Sequence, residues 1–106
     1  MARCEFTAQA TGDLREIGRY TRLTWGLAQA RRYRQELELS LKKLSLSPRM
    51  GLARDEIAPD VRSFVVGSHV AYYLPRKNGI VVLRLLHQNM DVERAFVPPA
   101  DKTKHD

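Results

Sequence analysis

Apolar residues at spacings of three and four predict that the first half of the chain forms two helices. The first helix can begin from either of two capping residues, Asp13 with Glu16 three residues on, or Thr7 earlier in the chain. Gly26 supplies the usual stop signal. The face that we expect to turn inward carries Leu14, Ile17, Thr21 and Thr24, with Tyr20 and Trp25 beside it.

The second predicted helix has the clearest apolar stripe in the sequence. The stripe consists of Ala30, Tyr33, Leu37, Leu41 and Leu44. Ser47-Pro48 ends the helix, because proline disfavours helical geometry in the residue before it and has no backbone N–H to donate. Only a tight connection around Gly26 separates the two helices, so we expect an antiparallel helix hairpin.

After an irregular stretch, 51–60, the period of the apolar residues changes from 3.6 to 2. Segments rich in valine, leucine and aromatic residues predict three strands. The predicted strands are 61–66, 70–74 and 80–86. Gly67-Ser68 and Asn78-Gly79 predict tight turns between them, which makes an antiparallel meander. Residues 3–7 are a candidate edge strand.

This order of elements predicts an α+β fold in which a helix hairpin packs on one face of a small antiparallel sheet, β-α-α-β-β-β. We expect residues 1–91 to form the domain. Residues 92–106 are expected to be a polar, partly disordered tail with nothing to pack against. The open sheet face, and the groove where the hairpin meets the sheet edge, are where partners can dock.

The composition narrows the function classes. The chain has 106 residues, 43% of them hydrophobic, which suits one folded domain. It has neither a secretory signal nor an apolar run long enough to span a membrane, so we expect a cytoplasmic location. One cysteine, Cys4, and three scattered histidines, His69, His87 and His105, show no metal-ligand spacing, and we expect neither a metal nor another cofactor.

Six short patterns follow one another along the chain. They are Ala10-x-x-Asp13-Leu14-x-x-Ile17-x-x-Tyr20, Trp25-Gly26-x-x-Gln29-Ala30-x-x-Tyr33, Pro48-x-x-Gly51, Val61-Arg62-Ser63-Phe64, Gly67-x-His69-Val70-x-x-Tyr73 and Val82-x-Arg84-x-Leu86-His87-Gln88-x-Met90-Asp91. In this order and at these spacings, residues 6–91 resemble the ParE toxins of the RelE/ParE superfamily. The first strand, Arg3-Cys4-Glu5-Phe6, departs from the family pattern by carrying charges.

The resemblance implies a RelE-like fold and a toxin that poisons DNA gyrase by binding it, which leaves broken DNA and halts replication. It also implies a ParD-type antitoxin, encoded beside the toxin, whose flexible C-terminal segment folds onto the toxin. No direct sequence-specific binding of nucleic acid and no membrane association are expected.

Relatives in the same superfamily include ribosome-dependent RNases, which need a general base, a general acid and cations. Arg62, Arg84 and His87 are the only plausible members of such a site here. The surrounding strands are too apolar for it, and we favour His87 as a structural residue whose ring is bonded near the strand end. The carboxylates that the two arginines are expected to bridge are Asp60, Asp91 and Glu56.

Aromatic and leucine side chains are the candidates for antitoxin binding. Tyr20 and Trp25 can be exposed anchors; the alternative, which we favour for Trp25, is that it closes the helix hairpin over the core. Tyr72 and Tyr73 point to opposite sheet faces, so one of them leaves the helix-covered core and is the better anchor. The remaining candidates, if they share that face, are Leu74, Leu83 and Leu85.

The net charge of +6 favours an acidic partner, either nucleic acid or an acidic protein segment. The basic residues of the second helix alternate with Glu36 and Glu38 and lack interleaved aromatics that would stack on bases, so a solvated face accounts for them. They would also suit an acidic antitoxin tail, because opposite fields speed encounter.

Three hypotheses follow. The leading one is a gyrase-binding toxin neutralised by its antitoxin. The second is an RNase that uses Arg62, Arg84 and His87. The third is an inactive toxin-derived module that binds its partner and tunes repression of the operon.

Overall fold

The structure, a computed structural model, describes residues 2–90 and 92–96. Its two long helices are α1 (Ala8–Trp25) and α2 (Leu27–Leu46), followed by a 3₁₀ turn at Pro48–Met50. A four-residue helix, α3 (Val92–Ala95), comes last. The strands are β1 (Arg3–Phe6), β2 (Leu52–Ala53), β3 (Arg62–Val66), β4 (His69–Arg76) and β5 (Gly79–His87). Two helices packed on one sheet confirm the predicted α+β class.

The sheet is mixed and five-stranded, in the order β1-β5-β4-β3-β2. The meander of β3, β4 and β5 is antiparallel, as predicted. The candidate edge strand is β1, and it runs parallel to β5, so the expectation of a wholly antiparallel sheet is corrected. β2 lies within the stretch 51–60, which was expected to be irregular. The sequence does not reveal this strand, because two residues are too few to show a period.

Thr7, the earlier of the two predicted caps, caps helix α1, which begins at Ala8. The Thr7 hydroxyl accepts a hydrogen bond from the N–H of Ala10 at 3.0 Å, which satisfies one of the free N–H groups of the first turn. Asp13 lies inside the helix and does not cap it. Gly26, with φ at 91°, ends α1 and starts α2, and Ser47 ends α2 before Pro48, both as predicted.

The main core lies between the helices and one face of the sheet. Four residues of the predicted stripe of α2 are buried, with Leu37 and Leu44 fully inaccessible, and the fifth, Tyr33, is partly buried against the core. From α1, Ile17 and Thr21 are buried. The Thr21 hydroxyl donates to the carbonyl oxygen of Ile17 at 2.8 Å, so this buried polar group is satisfied. Thr24, predicted on the same face, is exposed.

Strand β5 carries one extra residue, Leu83, opposite β4. Tyr72 pairs with Arg84 and Tyr73 pairs with Val82, which leaves Leu83 between them. Such a bulge shifts the alternation of side chains by one position. Val82 and Leu85 both face the main core for this reason, and Leu83 faces the opposite side.

A second apolar cluster covers that opposite face. It contains Val61, Tyr72 and Leu86, with Val92, Ala95 and Phe96 packed against them. The expectation that the segment after Met90 has nothing to pack against is therefore wrong for 92–96. Residues 97–106, where a disordered tail is predicted, lie outside the described residues. The predicted domain boundary after residue 91 stays a prediction.

None of the helices in the described part of the chain combines the length and the apolar character that crossing a membrane requires.

Candidate protein-binding site

Tyr20 and Trp25 form an exposed aromatic pair near the tip of the helix hairpin. Their side chains are 59% and 56% exposed, and their rings meet edge to face with centroids 6.3 Å apart. The prediction that Trp25 closes the hairpin over the core is wrong. Every residue from Arg22 to Gln29 is exposed, because no part of the described sheet covers the tip of the hairpin.

Two leucines extend this aromatic pair into an apolar patch. Leu23 is 69% exposed and Leu27 is 52% exposed. Both are close to Trp25 in sequence, on either side of the turn at Gly26. We call Tyr20, Leu23, Trp25 and Leu27 the tip patch. Four large apolar side chains exposed within eight residues of the chain are typical of a protein-binding surface.

A groove runs from the tip patch along α1 towards the ends of β4 and β5. Its volume is about 280 Å³. Tyr20 lines the groove from α1, together with Ile17, and Leu85 and Met90 line it from the sheet side. This groove lies where sequence analysis expects a docking site, between the helix hairpin and the sheet.

Tyr72 and Tyr73 point to opposite faces, as predicted, but both are buried. Tyr73 is in the main core, where its hydroxyl donates to the carbonyl oxygen of Pro48 at 2.6 Å and accepts from the N–H of Gly51 at 2.9 Å. Tyr72 is the outward one. The ring of Phe96 meets it edge to face, with centroids 5.3 Å apart, so the expectation that the outward tyrosine is a better exposed anchor than Trp25 is corrected.

The three predicted leucines do not share one face. Leu74 and Leu83 are partly buried in the second cluster beside Tyr72. Leu85 is 3% exposed in the main core, because the bulge at Leu83 turns it towards the helices. Of the seven predicted antitoxin-binding residues, only Tyr20 and Trp25 present large exposed surfaces.

Arg84, from the alternative catalytic set, is held by a carboxylate and a backbone group. Its guanidinium donates to Asp13 Oδ2 at 2.7 Å and to Asp13 Oδ1 at 3.0 Å, and it donates to the carbonyl oxygen of Ala95 at 2.9 Å. The hydrogen bond with Asp13 raises the pKa of Arg84 above its ordinary value. Asp60, Asp91 and Glu56 were the expected partners; Arg84 instead forms its ion pair with Asp13 on α1.

Arg62 is held by backbone oxygens. It donates to the carbonyl oxygens of Gly51 at 2.6 Å and of Arg49 at 3.4 Å. Among the described residues no carboxylate lies within ion-pair distance of Arg62, which differs from the predicted bridge. Its guanidinium fastens the loop after α2 to β3.

His87 lies at the end of β5 in a small cluster of rings. Its Nδ1 accepts from the N–H of Asn89 at 3.2 Å, and its ring centroid lies 5.5 Å from that of His69. His69 Nδ1 lies 2.7 Å from the hydroxyl oxygen of Tyr33. Burial lowers the pKa of His69, the nearby His87 lowers it further, and Asp13 opposes the shift. The contacts of His87 agree with a structural role near the strand end.

The structure does not bring Arg62, Arg84 and His87 together. Arg62 pairs with Tyr73, which pairs with Val82. Val82 and His87 are five residues apart on β5, or about 17 Å at roughly 3.3 Å per residue. A concerted acid–base reaction on one phosphodiester needs its groups within hydrogen-bond reach of the reacting atoms. Within 2–90 and 92–96, no cluster of three or more potential ligands could hold a metal ion.

Two contacts that organise this region were not predicted. Asp13 was considered as a helix cap, and Tyr33 as a member of the apolar stripe. Asp13 instead pairs with Arg84, and the Tyr33 hydroxyl also accepts from the N–H of Ser68 at 3.0 Å. Both contacts join residues more than 30 positions apart, and a local pattern carries no signal of such pairs.

Comparison with known proteins gives consistent findings. The family model described as ParE toxin of type II toxin–antitoxin system, parDE, matches residues 4–92. Toxin ParE1 of Mycobacterium tuberculosis is 41% identical over 86 residues, covering 80% of this chain and 88% of that protein. Toxin ParE of Escherichia coli is 38% identical over 87 residues, covering 81% and 84%. A solved structure, the chromosomal ParDE TA system from P. aeruginosa, aligns with a TM-score of 0.69 at 22% identity, over 82% of this chain and 96% of that one, and supports the fold.

Proposed function

Since this chain belongs to the ParE toxin family of type II toxin–antitoxin systems, we propose that it poisons DNA gyrase by binding it, and that a ParD-type antitoxin neutralises it. Both proteins would meet the toxin in the bacterial cytoplasm. ParE toxins act by protein binding rather than by catalysis.

The observation that carries the proposal is the exposed Tyr20–Trp25 pair. Tyrosine and tryptophan are enriched among the residues that dominate binding energy at protein interfaces. Here the two rings already contact each other edge to face, which favours one arrangement of the pair before a partner binds. We assign the tip patch to the antitoxin, together with the groove that Tyr20 borders.

Burial divides the predicted antitoxin-binding residues into three groups. Tyr20 and Trp25 can contact the antitoxin directly. Tyr72 is buried against Phe96, so it would reach a partner only if that segment moved. Leu74 and Leu83 are partly buried beside it. Tyr73 supports the fold from within the core, and so does Leu85, which also borders the groove beneath Tyr20.

The arrangement of polar residues favours binding over RNA cleavage. Arg84 and Arg62 are occupied by Asp13 and by backbone oxygens, and the strand register places Arg62 far along the sheet from His87. An RNase would need these cations free to stabilise the charge that develops on the phosphate.

A pair of assays tests the proposal. The purified chain is added to a gyrase supercoiling reaction and, separately, to a translation extract whose mRNA is followed on a gel. We expect inhibition of supercoiling with intact mRNA. The variant His87→Ala should inhibit equally, whereas loss of a positioned acid–base residue would cost about 100-fold or more in rate. Cleaved mRNA with unaffected gyrase would overturn the proposal in favour of the RNase.

A further inference from the structure

A groove on the helix hairpin, separate from the groove beneath Tyr20, is lined by arginines from both helices. Its volume is about 540 Å³. Three small or apolar residues also line it, and we call them its floor: Gly18, Leu27 and Ala30. The arginines that line it are Arg15, Arg19, Arg22, Arg31 and Arg34. We call this surface the arginine groove.

Most of the positive charge in the arginine groove is uncompensated. Arg19 lies 3.3 Å from Glu16 and Arg34 lies 3.4 Å from Glu38, and all four side chains are about half exposed or more, so these pairs are weak. Counting only residues that the structure describes, the other three have no carboxylate within ion-pair distance. These three are Arg15, Arg22 and Arg31. Like charges gathered around one concave surface focus the field on a ligand of opposite sign.

We propose that the arginine groove binds an acidic, partly apolar segment of the antitoxin; this assignment rests on the proposed function. Guanidinium groups pair with carboxylates through two parallel hydrogen bonds. The arginines of α1 and of α2 can therefore each bind acidic side chains of a segment that lies between the two helices. The floor suits the apolar side chains of the same segment. Gly18 and Ala30 leave room for its backbone to approach closely.

The floor of the groove favours a polypeptide over nucleic acid. Leu27 is 52% exposed there and offers apolar surface, whereas none of the described residues that line the groove is an aromatic that could stack on a base. A nucleic acid backbone would use the rim and leave the floor empty. The groove also shares Leu27 with the tip patch, so one antitoxin chain can occupy both surfaces.

A pair of matched double variants tests the proposal. Arg22→Gln with Arg31→Gln removes two charges from the arginine groove. Arg32→Gln with Lys43→Gln removes two charges from exposed positions of α2 that do not line it. Affinity and association rate for the purified ParD-type antitoxin are measured at about 0.1 M and about 1 M salt, where the Debye length is about 10 Å and about 3 Å. Circular dichroism confirms that each variant is folded.

We expect the groove pair, the double variant Arg22→Gln with Arg31→Gln, to bind the antitoxin about tenfold more weakly at the lower salt, mainly because association is slower. At the higher salt the loss of affinity should be smaller. The control pair should change affinity less than about threefold. Equal effects of the two pairs would overturn the proposal, since only the overall charge would then matter. So would binding of a 20-base-pair DNA duplex that the groove pair abolishes while its antitoxin affinity stays unchanged. If the unmodified chain did not bind the antitoxin at all, the proposed function itself would fail.

Discussion

Asp13 on α1 holds both the side chain of Arg84 and the backbone of its neighbour on β5. Its carboxylate accepts two hydrogen bonds from the guanidinium and a third from the N–H of Leu85 at 3.0 Å. β1 pairs with β5 only as far as Val82, so the β5 backbone beyond that point needs other partners on this side. Asp13 supplies one, and the Thr7 hydroxyl supplies another by donating to the carbonyl oxygen of Leu83 at 2.9 Å.

Replacing Asp13 with alanine should destabilise the fold. The change leaves a partly buried guanidinium without its carboxylate and the N–H of Leu85 without its acceptor, so we expect the free energy of unfolding to fall by roughly 2–4 kcal/mol. Urea denaturation measures it. Glu16→Ala is the matched control, because it breaks an exposed pair with Arg19 and should cost less than about 0.5 kcal/mol. A loss no larger than that of the control would contradict this account of Asp13.

The Tyr73 hydroxyl fastens the loop after α2 to the sheet. It bridges the carbonyl oxygen of Pro48 and the N–H of Gly51. Tyr73→Phe keeps the ring and removes both hydrogen bonds, so we expect a loss of about 1–3 kcal/mol in the free energy of unfolding. Tyr20→Phe removes a hydroxyl from an exposed ring and should be nearly neutral. Equal midpoints in urea for the two variants would show that the bridge contributes little.

The helix hairpin and the meander could be predicted because their signals are local. The stripe of Leu37, Leu41 and Leu44 repeats within one helix, and Gly67-Ser68 forms the predicted turn between β3 and β4. The predicted turn before β5 is one residue too late: the turn is formed by Lys77-Asn78 rather than by Asn78-Gly79, because Gly79 already pairs with Arg76. Such signals depend on neighbours a few residues away. The helices and strands and their order along the chain can therefore be predicted from the sequence.

The candidate site was predicted less well, because its geometry depends on distant residues. The extra residue at Leu83 decides that Leu85 faces the core, and nothing in the alternation of β5 marks it. Trp25 is exposed because the tip of the helix hairpin is not covered by the described sheet. Both are properties of tertiary packing, which overrides local pattern.

The tip patch predicts a large effect on antitoxin binding. Removing both aromatic side chains, in Tyr20→Ala with Trp25→Ala, should weaken the affinity for the ParD-type antitoxin by about 30-fold or more, which corresponds to about 2 kcal/mol. Isothermal titration calorimetry measures it. Leu39→Ala removes an apolar side chain that is 63% exposed on α2, outside the tip patch, and should leave the affinity within about threefold. An unchanged affinity of the double variant would remove the tip patch from the antitoxin interface.

Because the pKa of His69 is lowered in the folded chain, we expect the stability of the fold to fall in mild acid. Burial, chiefly, and the neighbouring His87 lower the pKa of His69 below its ordinary value of 6.5 in the folded chain, while Asp13 opposes them. The unfolded state therefore binds the proton more readily, so the stability present above about pH 6.5 is lost as the pH falls through the folded-state pKa. Urea denaturation at about pH 7.5, 6.5 and 5.5 measures this slope. In His69→Gln, whose amide can still bond the Tyr33 hydroxyl, the slope should flatten. In His87→Gln it should persist in part, since burial is the larger cause. The same slope in His69→Gln as in the unmodified chain would assign the acid sensitivity to another group.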